Sequence, residues 1–303
     1  MLCSAMFGFL KRSHSITRIG LDPPKPAPNR HGIAIVLIAR NEVRHIAEWA
    51  QFHVLAGVRH IYLYDNGSTD GTADILTSTI GNRATVLPWD QVLRDLRSNT
   101  EIHNQVLAYA HATRNFGGMY RWISFIDTDE FLVPKQDDDV PTALARLDAA
   151  RNIALPWHMF GRNGHQTPPE GGMVRNYLRR AANPMSTKRG ICNFKCIADP
   201  CHITGISVHA LQVDGSFDCV NDRGVVATLK ERERPAFYST DVLQLNHYYA
   251  RSEQEIAEKI GRGVFPSTKI SGHGRRVHQI VANIEADEVE DRAALTFQTR
   301  KSF

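Results

Sequence analysis

The sequence has little of what marks several large classes of protein. It holds only five cysteines in 303 residues, an odd and low number that argues against a disulfide-stapled scaffold. No apolar run approaches the ~20 residues that a membrane-spanning helix needs. Lys and Arg number 36 against 32 Asp and Glu, an excess too small to indicate nucleic acid as a partner. What remains is an ordinary globular chain of one large or two small domains.

Familiar nucleotide and targeting signatures are missing as well. The sequence contains no Walker loop, no Gly-x-Gly-x-x-Gly after a predicted strand and no Gly-x-Ser-x-Gly elbow. Lys11 and Arg12 follow the apolar start instead of preceding it, which reverses the order of a secretory signal peptide. We therefore expect a cytoplasmic protein. For the first ten residues, a loosely ordered tail and a peripheral contact with the inner face of the membrane both stay open.

Strand and helix patterns alternate in the first half of the chain. Four prolines in residues 21–32 predict a stiff linker, so that residues 1–32 form a tail and linker before the folded part. The run Ile33–Ala39 is continuously apolar, which is typical of a strand buried on both faces. Further strands are predicted near residues 58–64, 84–87 and 122–126, with helices between them. The alternation predicts an α/β domain with a mostly parallel central sheet.

Polar clusters follow three of these predicted strands. The clusters are Arg40-Asn41-Glu42, Asp65-Asn66-Gly67 and Asp127-Thr128-Asp129-Glu130. The carboxyl ends of parallel strands meet at one edge of a sheet, so we expect the clusters to converge there. Asp127 and Asp129 offer hard oxygen donors that suit Mg²⁺ or Mn²⁺ bound together with a diphosphate, although two solvated turn acids are the alternative. Asp65 can accept hydrogen bonds from ribose hydroxyls or a pyrimidine N–H.

A family resemblance rests on two stretches, IVLIARNEVRHIAEWAQFHVLAGVRHIYLYDNGSTDGT and WISFIDTDEFLVP. Both resemble the nucleotide-sugar domain of inverting glycosyltransferases, family 2 broadly and the family 92-like group in particular. The match covers residues 33–134 and continues more thinly through LPWHMFGRNGH, FKCI, ISVHA and LNHYYARSEQEIAEKIGRG. The resemblance implies a GT-A fold, a UDP-sugar donor and a divalent metal, either Mn²⁺ or Mg²⁺.

Carried over residue by residue, the resemblance also implies a nucleotide site. Glu42 and Asp65 match the positions that hold the nucleoside. The residues next to them on the two strand ends, Ala39, Asn41 and Asn66, complete the expected nucleotide-binding set.

The metal site is implied in the same way. Asp127 and Asp129 match the metal-binding Asp-x-Asp pair. A histidine near the C-terminus often completes this site in the fold; His247 is the better match and His209 is the second candidate. An ordinary polar residue at a strand end is the alternative for either histidine.

The acceptor side is predicted from fewer signals. Trp157 matches a Trp-x-x-Phe-Gly motif, and its indole could stack on a sugar ring or belong to the core. We place Glu130 on the acceptor side with it. Inverting displacement needs a carboxylate base. Glu170, the only acid between Asp148 and Asp199, is the candidate, with a solvated turn glutamate as the alternative.

Together these features predict a metal-dependent inverting glycosyltransferase of the hexosyltransferase type. Its substrates would be a UDP-sugar and a glycan or lipid-linked acceptor. We expect residues 33–134 to form the nucleotide-sugar-binding half, 135–280 the acceptor-side half of the same domain, and 281–303 a C-terminal tail. Two alternatives stay open. A sugar nucleotidyltransferase would usually carry a Gly-rich loop where Arg40-Asn41-Glu42 stands, and a non-catalytic glycan-binding protein would have a decayed site.

Overall fold

The computed structural model describes residues 15–262 and 270–301. The expected tail or membrane contact of the first ten residues lies outside these ranges. Up to residue 145 the elements are β1 (Arg18–Gly20), β2 (Ile33–Ala39), α1 (Ile46–Leu55), β3 (His60–Asp65), α2 (Thr72–Ile80), β4 (Ala84–Pro88), β5 (Arg94–Asp95), β6 (Thr100–Glu101), α3 (Asn104–Phe116), β7 (Trp122–Phe125), β8 (Glu130–Pro134) and α4 (Val140–Ala145).

The remaining elements are shorter and include more strands. They are β9 (Asn152–Met159), α5 (Met173–Asn176), β10 (Arg179–Ala181), β11 (Phe194–Ala198), β12 (Ile203–Ser207), β13 (Leu211–Val213), β14 (Cys219–Val220), β15 (Val226–Ala227), β16 (Leu243–His247), α6 (Glu253–Arg262), α7 (Ile270–Glu285), β17 (Glu288–Glu290) and α8 (Ala293–Lys301). Within the described ranges, none of the helices is both long enough and apolar enough to span a bilayer.

A large mixed sheet forms the centre of the molecule. Strands β4, β3, β2 and β7 lie side by side and run parallel. On the far side of β7, β11 runs antiparallel to both β7 and β9. Strand β16 joins the sheet by pairing parallel with β9 and antiparallel with β8. The predicted α/β class with a mostly parallel central part is confirmed.

The apolar run of β2 explains why this strand lies at the centre. Ile35 and Leu37 pack into a core on one face of the sheet, where Trp49 of α1 also lies. Ala34 and Val36 face the opposite core, which Tyr109 of α3 fills. Burial on both faces removes apolar surface from water on each side, which is the packing that an unbroken β-branched run favours.

The segments predicted as an N-terminal linker and a C-terminal tail pack against the folded domain where the structure describes them. Strand β1 pairs with β12, and Arg30 of the proline-rich segment makes a two-bond ion pair with Asp199. The proline-rich segment is therefore docked instead of serving as a free linker. At the other end, β17 pairs with β10, and Phe297 of α8 packs against Phe52. Residues 288–301 are not a tail, because their contacts are with distant parts of the chain.

Candidate functional site

The three polar clusters meet at the carboxyl edge of the parallel strands, as the pattern predicted. The Asn66 N–H donates to the Ala39 carbonyl at 2.9 Å, which joins the ends of β3 and β2. Asn41 adopts a left-handed φ of 56°, and its Oδ1 accepts the Thr69 N–H at 2.9 Å. Asp65 accepts the Ser68 N–H at 3.0 Å, so its carboxylate also shapes the turn.

Asp127, Asp129 and Glu130 lie on a turn directly after the buried strand β7. The Glu130 N–H donates to the Asp127 carbonyl at 3.0 Å, and the Asp127 N–H donates to Glu130 Oε2 at 2.8 Å. These reciprocal bonds fix the turn that presents both aspartates. Glu130 has no exposed surface, and burial raises its pKa to about 8. The prediction that Glu130 contacts the acceptor is therefore wrong, because its side chain is buried beneath the turn.

Two side chains donate hydrogen bonds to the carboxylate of Asp127. The Lys195 ammonium donates to Asp127 Oδ2 at 2.9 Å, and Gln105 Nε2 donates to Oδ1 at 3.0 Å. The side chain of Lys195 is only 2% exposed, and its Nζ also lies 3.4 Å from Glu130 Oε2. Burial lowers the pKa of Lys195, but Asp127 and Glu130 outweigh burial and raise it well above its usual value, so this lysine is charged.

Asp129 occupies a pocket of cationic and imidazole groups. Its Oδ2 lies 3.5 Å from His247 Nε2, 3.6 Å from Lys259 Nζ and 3.8 Å from an Arg251 nitrogen. Burial would raise the pKa of Asp129, but these neighbours hold it well below its usual value. The same Arg251 pairs with Glu42 at 3.1 Å, so one guanidinium connects the cluster after β2 with the cluster after β7.

The two candidate histidines both contact Trp157. The Trp157 ring centroid lies 4.4 Å from that of His247 and 5.3 Å from that of His209. His209 is turned toward the backbone, where its Nδ1 lies 3.2 Å from the Phe194 carbonyl, while His247 faces Asp129. Burial, with Lys195 nearby, lowers the pKa of His209 to about 4. Of the two imidazoles, His247 is the one that the structure brings to the aspartate pair.

Of the two remaining acceptor-side predictions, the one for Trp157 does not fit the structure, and the one for Glu170 stays a prediction. Trp157 is only 9% exposed and belongs to the core, so its face is not open for stacking on a sugar ring. Glu170 lies exposed in a turn whose backbone carbonyl accepts a hydrogen bond from Asn176. Among the described residues, no contact links Glu170 to either aspartate. The core alternative is therefore the better description of Trp157.

The donor chemistry of the site fits a divalent metal ion. His247 Nε2 and Asp129 Oδ2 are 3.5 Å apart, close to the roughly 3.0–3.4 Å between two ligands that each lie ~2.1 Å from one ion. His247 Nδ1 is buried without a hydrogen-bond partner. In the described ranges, no group of three or more His, Cys, Asp or Glu could hold an ion alone. That is compatible with Mg²⁺-type sites, which use one or two carboxylates together with substrate phosphates and water.

The sequence does not predict that Lys195 and Gln105 contact Asp127. They come from α3 and β11, one before and one after the Asp-x-Asp turn, and they meet only through Asp127. A signal for Lys195 did exist, because a lysine in the apolar run Phe194–Ala198 is almost never buried without a partner. Nothing in the sequence named that partner.

Comparison with known proteins identifies the family. A glycosyltransferase family 92 model matches residues 33–260. A glycosyltransferase family 92 protein from Ricinus communis is 28% identical over 191 residues, which cover 56% of this chain and 31% of the relative. Another from Oryza sativa subsp. japonica is 26% identical over 185 residues, 57% of this chain and 30% of the relative. The chain thus spans about a third of the length of these curated relatives.

Solved structures show weaker similarity. Mannosyl-3-phosphoglycerate synthase from Rubrobacter xylanophilus shares 18% identity at a TM-score of 0.31, with 56% of this chain and 54% of that chain covered. Glucosyl-3-phosphoglycerate synthase from Mycobacterium tuberculosis, solved with Mn²⁺ and UDP, shares 16% identity at a TM-score of 0.28, with coverage of 56% and 57%. TM-scores of this size carry no conclusion. Because the family model instead matches well over half of the sequence, the chain belongs to glycosyltransferase family 92.

Proposed function

We propose that this chain is an inverting glycosyltransferase that transfers a sugar from a UDP-sugar to a glycan or lipid-linked acceptor with a divalent metal. The observation that carries the proposal is the Asp129 pocket, where an imidazole, an ammonium and a guanidinium surround one carboxylate oxygen at the strand ends. Carboxylate and imidazole are metal ligands, and the two cations suit phosphate oxygens. The family membership supports the same activity.

The roles of the residues follow from their charges and positions. Asp127, Asp129 and His247 would hold the ion, which when bound would stabilise the negative charge on the departing UDP. Arg251 and Lys259 would orient the diphosphate, and Arg251 would also couple it to Glu42 on the first strand end. In the transfer, the acceptor hydroxyl oxygen forms a bond to the anomeric carbon from the face opposite UDP, and its proton passes to a general base. The bond to the diphosphate oxygen breaks, and its electron pair leaves with UDP.

The nucleoside would lie over the ends of β2 and β3. Asp65 and the Asn41 region border this edge, and Asn104 of α3 donates to Asn66 Oδ1 at 3.1 Å, which fixes its amide. We propose Glu42 and Asp65 as the carboxylates that face the nucleoside. The cytoplasmic location and the peripheral membrane contact stay predictions from the sequence.

A donor screen tests the function. Purified protein should release UDP from at least one member of a panel of UDP-sugars, lose that release in EDTA and regain it with added Mn²⁺. GDP- and CDP-sugars serve as matched controls, because the nucleoside contacts should reject them. Pyrophosphate release from UTP and a sugar phosphate would instead support the nucleotidyltransferase alternative. Failure to bind UDP under any metal condition would support the decayed site.

His247 and His209 should differ in their effect on metal use. His247→Ala removes the imidazole that faces Asp129, so the Mn²⁺ concentration for half-maximal UDP release should rise about tenfold or more. His209→Ala is the matched control, because its ring contacts Trp157 and a backbone carbonyl instead of an aspartate. Its Mn²⁺ requirement should stay within about twofold of the wild type. The reverse order would transfer the ligand role to His209.

A further inference from the structure

Lys195 has no place in the roles above, although its charged side chain is only 2% exposed beside the site. Its Nζ lies 2.9 Å from Asp127 Oδ2 and 3.4 Å from Glu130 Oε2. Strand β11, which carries it, lies between β7 and β9 inside the sheet. A lysine held there cannot swing out to a substrate, so its charge acts where it stands, on the Asp127 carboxylate.

Each aspartate of the Asp-x-Asp turn already lies beside a cation before any ligand binds. Lys195 lies beside Asp127, while Arg251 and Lys259 lie beside Asp129. The side chains of Lys195 and Arg251 are 2% and 9% exposed, so water screens these two charges less than it would on a protein surface. A dication added alone would lie close to these cations. A dication added with a diphosphate would bring at least two negative charges that offset this repulsion.

We propose that Lys195 is a built-in counter-ion that keeps the Asp-x-Asp pair from holding a divalent metal in the absence of nucleotide. The proposal rests on the proposed function, because it assumes that UDP and a metal share this site. An ion bound by Asp127 would lie beside the ammonium that shares this carboxylate, and the two positive charges would repel each other. Arg251 and Lys259 differ from Lys195 in their position: Arg251 lies between β16 and α6 and Lys259 lies within α6, both beside Asp129, where we place the diphosphate.

The consequence is a required order of assembly. Without UDP, the charge of Lys195 lowers the affinity of the site for a divalent metal. With UDP, the diphosphate adds negative charge and oxygen ligands for the metal. Lys195 is therefore a positioning residue that acts through Asp127, which it also orients. Its removal should have two opposite effects, tighter binding of the metal alone and weaker binding of UDP alone. A residue that only supports the fold would weaken both.

The test measures Mn²⁺ binding to the full chain without nucleotide, by electron paramagnetic resonance of free Mn²⁺, and UDP binding in EDTA by calorimetry. Lys195→Met should bind Mn²⁺ about tenfold more tightly than the wild type and UDP about tenfold more weakly. Lys195→Gln removes the charge but keeps a hydrogen-bond donor for Asp127, and it should show the same two shifts. It replaces the methionine variant in the test if that variant fails to fold. Lys195→Arg keeps the charge and should resemble the wild type. Lys188→Met, at an exposed lysine, is the matched control.

The outcomes separate this inference from the proposed function. Wild-type protein that binds neither UDP nor Mn²⁺ when both are supplied would contradict the function itself. Wild-type protein that binds both together, with unchanged or weaker Mn²⁺ binding in the neutral Lys195 variants, would overturn the counter-ion role alone. Wild-type protein that binds Mn²⁺ as tightly without UDP as with it would also overturn that role, even if no Lys195 variant can be purified.

Discussion

Replacing Asp129 by asparagine is expected to lower metal-dependent UDP release by about a thousandfold, a loss of the size seen when a key group that stabilises transition-state charge is removed. The asparagine keeps the shape of the side chain but removes the charge that His247, Lys259 and Arg251 surround. A neutral amide oxygen lacks the negative charge that makes a carboxylate attract a dication. The two cations beside it, Lys259 and Arg251, would then repel each other and any incoming metal.

The experiment compares UDP release by wild-type protein and Asp129→Asn across a range of Mn²⁺ concentrations. Asp138→Asn, at an exposed acid outside the site, is the matched control and should keep wild-type activity. Thermal unfolding of both variants separates lost chemistry from a lost fold. Near-normal turnover of a folded Asp129→Asn protein in Mn²⁺ would contradict the metal assignment.

Asp199→Ala is expected to destabilise the fold by roughly 3–5 kcal/mol, the cost of removing one partner from a buried ion pair. Asp199 is 3% exposed in its side chain, and Arg30 donates to its two oxygens at 2.5 and 2.8 Å. Arg121 adds a third bond at 3.1 Å. The alanine variant leaves two guanidinium groups without this carboxylate and removes the ion pair that anchors Arg30 of the proline-rich segment.

Denaturant unfolding measures this loss, and Asp148→Ala is its matched control. Asp148 also contacts Arg121, at 3.3 Å, but its side chain is 79% exposed, so the control should lose less than about 1 kcal/mol. Burial would raise the pKa of Asp199, but Arg30 and the Cys201 N–H lower it below its usual value. Its stabilising contribution should therefore be complete above about pH 4 and should decrease as the pH falls toward the lowered pKa. Equal losses in the two variants would contradict the burial argument.

The sheet and its polar edge could be predicted because their signals are local. The run Ile33–Ala39 has the composition of a doubly buried strand, and the polar clusters begin where such runs end. Parallel pairing then brings the clusters to one edge, since parallel strands share a direction. Asp127 and Asp129 were found for this reason.

The remaining site residues depend on packing between distant segments, which no local pattern records. Lys195 reaches Asp127 only because β11 inserts between β7 and β9. Trp157 matches a motif that suits either stacking or burial, and its contacts with two histidines decide for burial. The prediction for Glu170 rests on its being the only acid between Asp148 and Asp199, a criterion that contains no geometry. The proline-rich segment looked like a linker because composition does not show the buried carboxylate that anchors Arg30.

Strand β16 limits the motions by which substrates can enter. Its backbone pairs with β8 on one side and β9 on the other, the His247 carbonyl accepts the Phe160 N–H, and the Tyr248 N–H donates to the Asp129 carbonyl. A hinge opening between the predicted donor half and acceptor half would have to break these ladders, whereas hinges in proteins usually lie in loops or at the ends of elements. We therefore expect the two halves to move together. We expect the donor to enter through movements of side chains and segments at the edge of the site. A distortion of β9 would also displace the backbone of His247, because β9 pairs directly with β16.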